Sequence, residues 1–540
     1  MKKIILMLFV ILSLIAFLGS FVSATDWYVS KTATGINNGS SWANAWNELN
    51  QINWNNIQPG DKIYLDGGAV ECDYPTYVTE ISNTPKTSSG QSCGMLYNTN
   101  LFIQKSGTAA NPIKIQLSQE SGRNGTVLMF GGRNTPLPYC GNTNYIYQTL
   151  GVLDRGITID GNSHIVVDGM KWGGIKVFGY NGIGIRSIYY NWEEDITFRN
   201  MEVFDNGFAR NLSGNWSPDG AGISVNGNNY LFDHMLVHDN GQDAFQTCYI
   251  GQFNNIKINN SWLFGQRAHP LIANDPWNYC THVDGVQFCA ASTSYGLTVE
   301  NSIFGPGHAQ NLLLGEYSGP RNSTVHNFTI RNSLLVHHLA NATSAGIATK
   351  YLQGVNDLPT NYVIDRVTIF KDINTCLEQG QPEGNCPSAN WWSIFIAGSG
   401  HKITNSMFQG GREVNVGGNP YVSNNYRWRV NDFGGIAISM DPMFADENFT
   451  VVGQGFADFD FTITNPSIPS NVGSSIHRVS DLIGKDPNSN SGTTNFHPAD
   501  LNTDGCVSLG EISSYVGRWL NGQITLGTVS GGVSEWLGGC

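Results

Sequence analysis

IKINNSWLF, from Ile256 to Phe264, places apolar side chains at alternate positions, breaks at an Asn-Ser step and then resumes its apolar run. The same phrase returns as ITFRNMEVF from Ile196, YLFDHMLVH from Tyr230, LTVENSIFG from Leu297, FTIRNSLLV from Phe328, YVIDRVTIF from Tyr362 and HKITNSMFQ from His401. Successive copies start 34, 26, 41, 31, 34 and 39 residues apart. Similar segments at irregular intervals indicate one supersecondary unit stacked many times, with loops of varying length.

Within each copy the period is two and the inward positions favour β-branched residues, so the copies read as strands. Between them lies a second short apolar run: GISV from Gly222, DAFQTCY from Asp243, DGVQFC from Asp284, NLLLG from Asn311, GIATK from Gly346 and SIFIAG from Ser393. Two or three strands per coil with almost no helical periodicity describe an all-β parallel β-helix solenoid. The fifth place of the phrase is Asn200, Asn260, Asn301, Asn332 and Asn405, with His234 and Arg366 in the other two copies. Asparagines stacked at a turn can hydrogen-bond from coil to coil, which makes this row structural.

The composition agrees with a turn-rich β protein: 13% of residues are charged and 63 are glycine. A formal charge of −13, with no cluster of Lys and Arg, argues against a nucleic-acid partner. Met1-Lys2-Lys3, an apolar run from Ile4 to Leu18 and then Val22-Ser23-Ala24 read as a secretory signal over 1–24. An uncleaved membrane anchor is the alternative reading of that run; no other segment has the length and apolarity to span a bilayer. Export makes the ten cysteines disulfide candidates, with local pairs expected for Cys72–Cys93, Cys376–Cys386 and Cys506–Cys540. Cys140, Cys248, Cys280 and Cys289 are left without an assigned partner.

Trp27-Tyr28-Val29-Ser30 reads as a strand, and Ser40-Ser41 precedes Trp42, Trp46, Leu49 and Ile52 at helical spacing. A short N-terminal capping helix there would cover the open end of the solenoid. Pro59-Gly60-Asp61 then turns the chain into the strand Lys62-Ile63-Tyr64-Leu65. The order WYVS, GSSWANAW and QPGDKIYLDGG, with SGTAANPIKIQ from Ser106, DPMFADEN from Asp441 and DFTITNPSIPSNVGSSI from Asp460, resembles secreted right-handed parallel β-helix proteins of the pectate-lyase-like group. The resemblance covers residues 26 to 478 and implies a right-handed β-helix acting on or binding an extracellular polysaccharide. It leaves the reaction open, because fold does not fix function. The expected layout is a signal at 1–24, cap and first coils at 25–155, β-helix at 156–480, a small polar linker at 481–497 and a separate module at 498–540.

In that module Asp500, Asn502, Asp504, Ser508 and Glu511 occupy loop places 1, 3, 5, 9 and 12, with Gly505 at 6. Ca²⁺ takes six to eight hard oxygen ligands, which these residues and the Cys506 carbonyl would supply. The sequence from Asn521 repeats that from Asp504, but Gly517, Trp519 and Thr528 replace ligands in the second copy, so one ion is expected. A doubled calcium loop and helix at the C-terminus resembles a dockerin, a small all-α EF-hand-like module. That resemblance implies docking to a cohesin-like partner.

The second run of each coil carries Asp219, Asp243 and Asp284, then Asn311, which read as in register. In-register residues on neighbouring coils lie about 4.8 Å apart, so Asp243 with Asp284, or Asp219 with Asp284 at about 9.6 Å, matches the carboxylate spacings of glycosidases. Gln246 and Gln287 repeat on the same rows as substrate-binding candidates, and His282, Arg267, His308 and Glu316 adjoin them. Trp277 and Tyr279 offer flat rings to sugar faces. A lyase would instead hold calcium on the acidic row and abstract a proton with His282, Arg267 or Lys350. A third reading makes each Asp-Gly a turn cap and the glutamines an interior amide stack. A non-catalytic surface or adhesion protein is the alternative to an enzyme.

Overall fold

The computed structural model describes residues 24–74, 87, 89–132, 153–187, 193–207, 220–241, 243–248, 253–264, 284–289, 293–305, 310–318, 321–322, 324–337, 345–350, 358–371, 392–410, 413–428, 431–432, 437–445 and 460–483. The chain divides after Ile483 into two compact units. The second unit, Gly484–Cys540, lies outside the described residues, as do residues 1–23 of the expected signal and most of the 481–497 linker.

The phrase is two strands meeting at a corner. In Glu194–Phe204 the first half, Ile196 to Arg199, pairs with Ile165–Asp168, and the second half, Met201 to Phe204, pairs with Ile175–Phe178. Between the halves stands Asn200 at φ 59°. Every fifth residue of the phrase adopts this left-handed conformation: His234 (54°), Asn260 (45°), Asn301 (48°), Asn332 (45°), Arg366 (53°) and Asn405 (50°). Asparagine tolerates that region better than most residues, which explains its recurrence. Within the row Asn332 Nδ2 donates to Asn301 Oδ1 at 2.8 Å as expected, but elsewhere the corner amide reaches the residue one place before the corner of the previous coil, Asn301 Nδ2 donating to Asn259 Oδ1 at 3.3 Å and Asn260 Nδ2 to Asp233 Oδ1 at 3.0 Å.

The coil therefore has three parallel faces. Sheet I runs by register from Asp26–Val29 through Lys62–Leu65, Ile113–Leu117 and Ile165–Asp168 to Tyr421–Ser423. Sheet II carries the second halves, from Met95–Tyr97 through Tyr426–Trp428 to Ile438–Ser439. Sheet III is built from the second apolar runs, Leu101–Ile103 through Ile185–Ser187, Phe245–Cys248 and Asp284–Cys289 to Asn431–Asp432. Pairing passes unbroken across residue 155, so the first coils belong to the same stack as the rest.

Inward positions repeat as apolar rows, such as Val167, Phe198, Phe232, Ile258 and Val299, all buried, with Phe198 and Phe232 stacked at 5.7 Å. From Glu194 onward the sheet I–II corner is one residue, so length variation falls on the connections flanking sheet III: residues 205–222, 265–283 and 372–391 on one side, 351–362 on the other. This is why the phrase spacing is irregular while the phrase itself stays constant. A second row of left-handed residues stands one place before each phrase: Asp195, Asn229, Asn255, Gly296, Asn327, Asn361 and Gly400. At Gly296 (φ 73°) a Cβ would lie 2.6 Å from Asn255 Oδ1, so a larger residue there would have to displace that side chain.

One expectation is corrected. The capping segment is not an α-helix; Trp46 pairs with the first strand, its N–H donating to Tyr28 O at 3.0 Å, and only Leu49–Gln51 forms a 3₁₀ turn. Local bonds to Asn37, Asn44 and Gln51 side chains compete there with helix hydrogen bonding. The end is nevertheless closed by Trp46, Leu49 and Ile52, all buried. Outward residues of sheet II are covered: Leu236, Trp262, Ile303, Leu334 and Met407 join a core with Phe461, Ile468, Val472 and Ile476. The exit segment crosses that face from coil to coil, Gly473 N–H bonding Asn405 O, Ser474 N–H bonding Thr368 Oγ1 and Ser475 N–H bonding Asn332 Oδ1. Cys72 and Cys93 form the expected disulfide, with Cα atoms 5.1 Å apart. Among the described residues no helix is long and apolar enough to cross a membrane.

Candidate functional site

Sheet III is the face bordered by the insertions, and its outward row runs Thr158, Arg186, Ser224, Gln246, Gln287, Leu313, Ala348 and Phe395 by strand register. Five successive coils thus present hydroxyl, guanidinium and amide groups before the row turns apolar. Thr158, Arg186, Ser224 and Gln246 are between 2% and 5% exposed, whereas Gln287 is half-buried. The row opens at the Gln287 level.

Asp243 and Asp284 lie one coil apart, as expected, but the acidic row is shorter than the sequence suggested. Gly222 N–H bonds Asp243 O and Ile223 pairs with Phe245, which carries Ala221, not Asp219, opposite Asp243. On the other side Asp284 pairs with Gln310 rather than Asn311. Loops of unequal length make a two-residue shift invisible to sequence alignment, and a one-residue shift reverses the side a residue faces. Asn311 points inside, donating to Phe304 O at 3.3 Å and Val336 O at 3.4 Å.

Both aspartates are buried, at 2% and 0% exposure. Asp243 Oδ1 accepts the Asp284 N–H at 2.7 Å, and Asp284 Oδ1 accepts the Gln310 N–H at 3.0 Å. Each carboxylate thereby ties the start of one sheet III strand to the next coil, supplying an acceptor to a backbone donor at a turn. Gln246 and Gln287 are direct register partners on neighbouring strands.

Asp219, Arg267, His282, Trp277, Tyr279 and His308 lie outside the described residues, as do the calcium-loop positions Asp500, Asn502, Asp504, Cys506, Ser508 and Glu511. The backbone of Glu316 belongs to the strand Gln310–Ser318 and pairs with Lys350. Among the described residues no group of three or more His, Cys, Asp or Glu could hold a metal ion.

The sequence reading missed Arg186, the one guanidinium on the outward row, although GIGIRSI shows a single cation inside an apolar run. It also missed a buried charge chain on sheet II. Lys176 Nζ donates to the Asp73 carbonyl at 2.7 Å and pairs with Glu202; His238 Nε2 lies 2.9 Å from Glu202 Oε1 and its Nδ1 lies 2.8 Å from Asp239 Oδ2. Burial alone would raise the Glu202 carboxyl, but the Lys176 ammonium, then the His238 hydrogen bond and charge, outweigh it and bring it down to about 2. Burial likewise disfavours the charged imidazole of His238, yet the hydrogen bonds and charges of Asp239 and Glu202 raise its pKa. The imidazole is stacked between Phe204 and Phe264, at 5.3 and 4.7 Å. The visible signal was a charge at phrase places that are apolar in other copies.

No protein-family model matches the sequence, and no curated protein matches it. Solved structures similar to the chain include the pectate lyase Pel9A, at 13% identity over 65% of this chain and 76% of that one, with a TM-score of 0.37. A rhamnogalacturonan lyase is similar at 13% identity over 77% and 84%, TM-score 0.37, and the polygalacturonase from Erwinia carotovora ssp. carotovora at 12% over 78% and 100%, TM-score 0.34. The β-helix of this chain stands on its own strand registers.

Proposed function

We propose that this is an exported carbohydrate-active β-helix protein that binds an extracellular polysaccharide at the outer face of sheet III, at the level of Gln287. The observation that carries this is where the polar row of sheet III opens: Thr158, Arg186, Ser224 and Gln246 are covered, whereas Gln287, half-buried, is reached from outside on the face flanked by the long insertions. An amide that both donates and accepts, bordered by insertions, suits a hydroxyl-rich chain. The sequence resemblance to the pectate-lyase-like group points the same way.

Cleavage, by hydrolysis or elimination, would draw on side chains of the insertions beside the Gln287 level, where His282 precedes the strand Asp284–Cys289 by two residues. Asp243 and Asp284 would act there as braces, since each already holds a backbone N–H of the next coil. That same engagement favours a second reading, binding without bond cleavage. At the C-terminus, Asp500, Asn502, Asp504, Ser508, Glu511 and the Cys506 carbonyl form an all-oxygen donor set suited to Ca²⁺, in a dockerin-like module for a cohesin-like partner.

Incubation with glucans, pectins, alginates and glycosaminoglycans tests the proposal. New reducing ends without unsaturation mark a hydrolase, unsaturated ends a lyase, and retention without product a binding protein. No retention and no product on any polymer overturns the reading. For the terminal module, calcium should raise the melting temperature and Asp504→Ala should remove the gain; identical melting with chelator means the loop binds no calcium.

A further inference from the structure

Away from sheet III, the late coils of sheet I form an open groove of about 360 Å³ lined by Arg331, Val363, Asp365, Lys402, Thr404 and Tyr421, among others. Strand register builds it: Val363, Lys402 and Tyr421 follow one another on one outward row, and Arg331, Asp365, Thr404 and Ser423 on the next. Unlike the outer face of sheet II, this face is not closed by the exit segment, and Tyr421 is 62% exposed.

The one acid in the groove is already committed. Asp365 Oδ1 accepts from Thr404 Oγ1 at 2.7 Å and Asn405 Nδ2 at 2.9 Å, and its Oδ2 lies 3.5 Å from Arg366 Nε. The cations are not. Among the described residues no carboxylate pairs with Lys402, whose ammonium lies 5.8 Å from the Tyr421 ring centroid. Arg331 reaches only a long contact, 3.7 Å, with Glu300, which Lys257 holds at 2.7 Å. On a chain of formal charge −13, this leaves a local cationic strip next to an exposed aromatic ring.

From this we infer that the sheet I groove binds an acidic glycan, its anionic groups seated on Arg331 and Lys402 and a sugar ring against Tyr421. Lys402 and Arg331 supply the attraction for carboxylate or sulfate, the ring of Tyr421 offers an apolar face, and Thr404 and Ser423 place hydroxyls beside it. The site is separate from sheet III and does not depend on any reaction there.

Affinity electrophoresis of the full chain through gels holding polygalacturonate, dextran sulfate or plain dextran tests it. Polygalacturonate, dextran sulfate or both should retard the protein while plain dextran does not; which of the two acts distinguishes carboxylate from sulfate. Tyr421→Ala and Lys402→Ala should each weaken retardation by about tenfold, with unchanged melting, and added salt should weaken it further. Equal retardation by plain dextran, no retardation by either polyanion, or groove variants that migrate like the parent would overturn the inference. In the last case a polyanion held at sheet III would still leave the proposed function standing.

Discussion

The outer faces of sheets I and II both carry charges in strand register, yet they treat them in opposite ways. On sheet II, Lys176, Glu202 and His238 are buried, each partnered by the next, beneath the Asp73 backbone and beside stacked phenylalanine rings. On sheet I, Arg331 and Lys402 stand in water around an aspartate that its own neighbours satisfy. A buried charge must be fully paired or it destabilises the fold, whereas an exposed one costs little and stays available to a ligand. Covering, rather than residue type, separates a brace from an open surface in this stack.

The strongest way to break that contrast is Glu202→Ala, which strands Lys176 and His238 in the interior. It should cost about 3–5 kcal/mol in chemical denaturation, and a loss below 1 kcal/mol would mean the chain is not buried as a unit. Next comes pH. Glu202 is depressed to about 2, so its stabilisation is full above its ordinary value of 4.5 and drains away as pH falls from there toward 2. His238 is raised, so its share is full below 6.5 and is lost as pH climbs through the elevated value. Stability should therefore fall on both sides of a plateau between these limits, and Glu202→Gln should flatten both limbs.

A smaller effect is expected at the corner. Asn301→Ala places alanine at φ 48° and removes the bonds to Asn259 and Asn332, costing about 1–2 kcal/mol, while Asn301→Gly keeps the backbone and should lose less. Arg331→Ala should be smallest, within about 0.5 kcal/mol of the parent by thermal melting.

Much of the architecture was legible because the corner residue is chemically marked. Asn200, Asn260, Asn301, Asn332 and Asn405 announce a left-handed position that few residues tolerate, and His234 and Arg366 could be placed there by spacing alone. The row one place earlier was equally marked by Asp, Asn and Gly but fell outside the phrase as delimited. The site was less legible. Asp243 and Asp284 align visibly because each stands twelve residues before the next left-handed corner, Asn255 and Gly296, whereas Ala221, the residue opposite Asp243, stands only eight before Asn229, so the acidic pattern was matched to the wrong residue, Asp219. Trp42, Trp46, Leu49 and Ile52 carried helical spacing, yet the strand pairing of Trp46 prevailed over periodicity. Covering of sheet II by residues near 470 is a contact made across the length of the stack, which no local pattern records.

Every row described depends on which residues of neighbouring coils stand opposite one another. Thr298 and Thr329 are register partners on sheet I, so their Cα atoms should lie about 4.8 Å apart, within disulfide reach, while Thr298 and Arg331 should be too far apart. Peptide mapping of the oxidised Thr298→Cys/Thr329→Cys variant should find the new cysteines linked, and the Thr298→Cys/Arg331→Cys variant should not link. The reverse outcome would contradict the registers and dissolve both proposed sugar-binding faces.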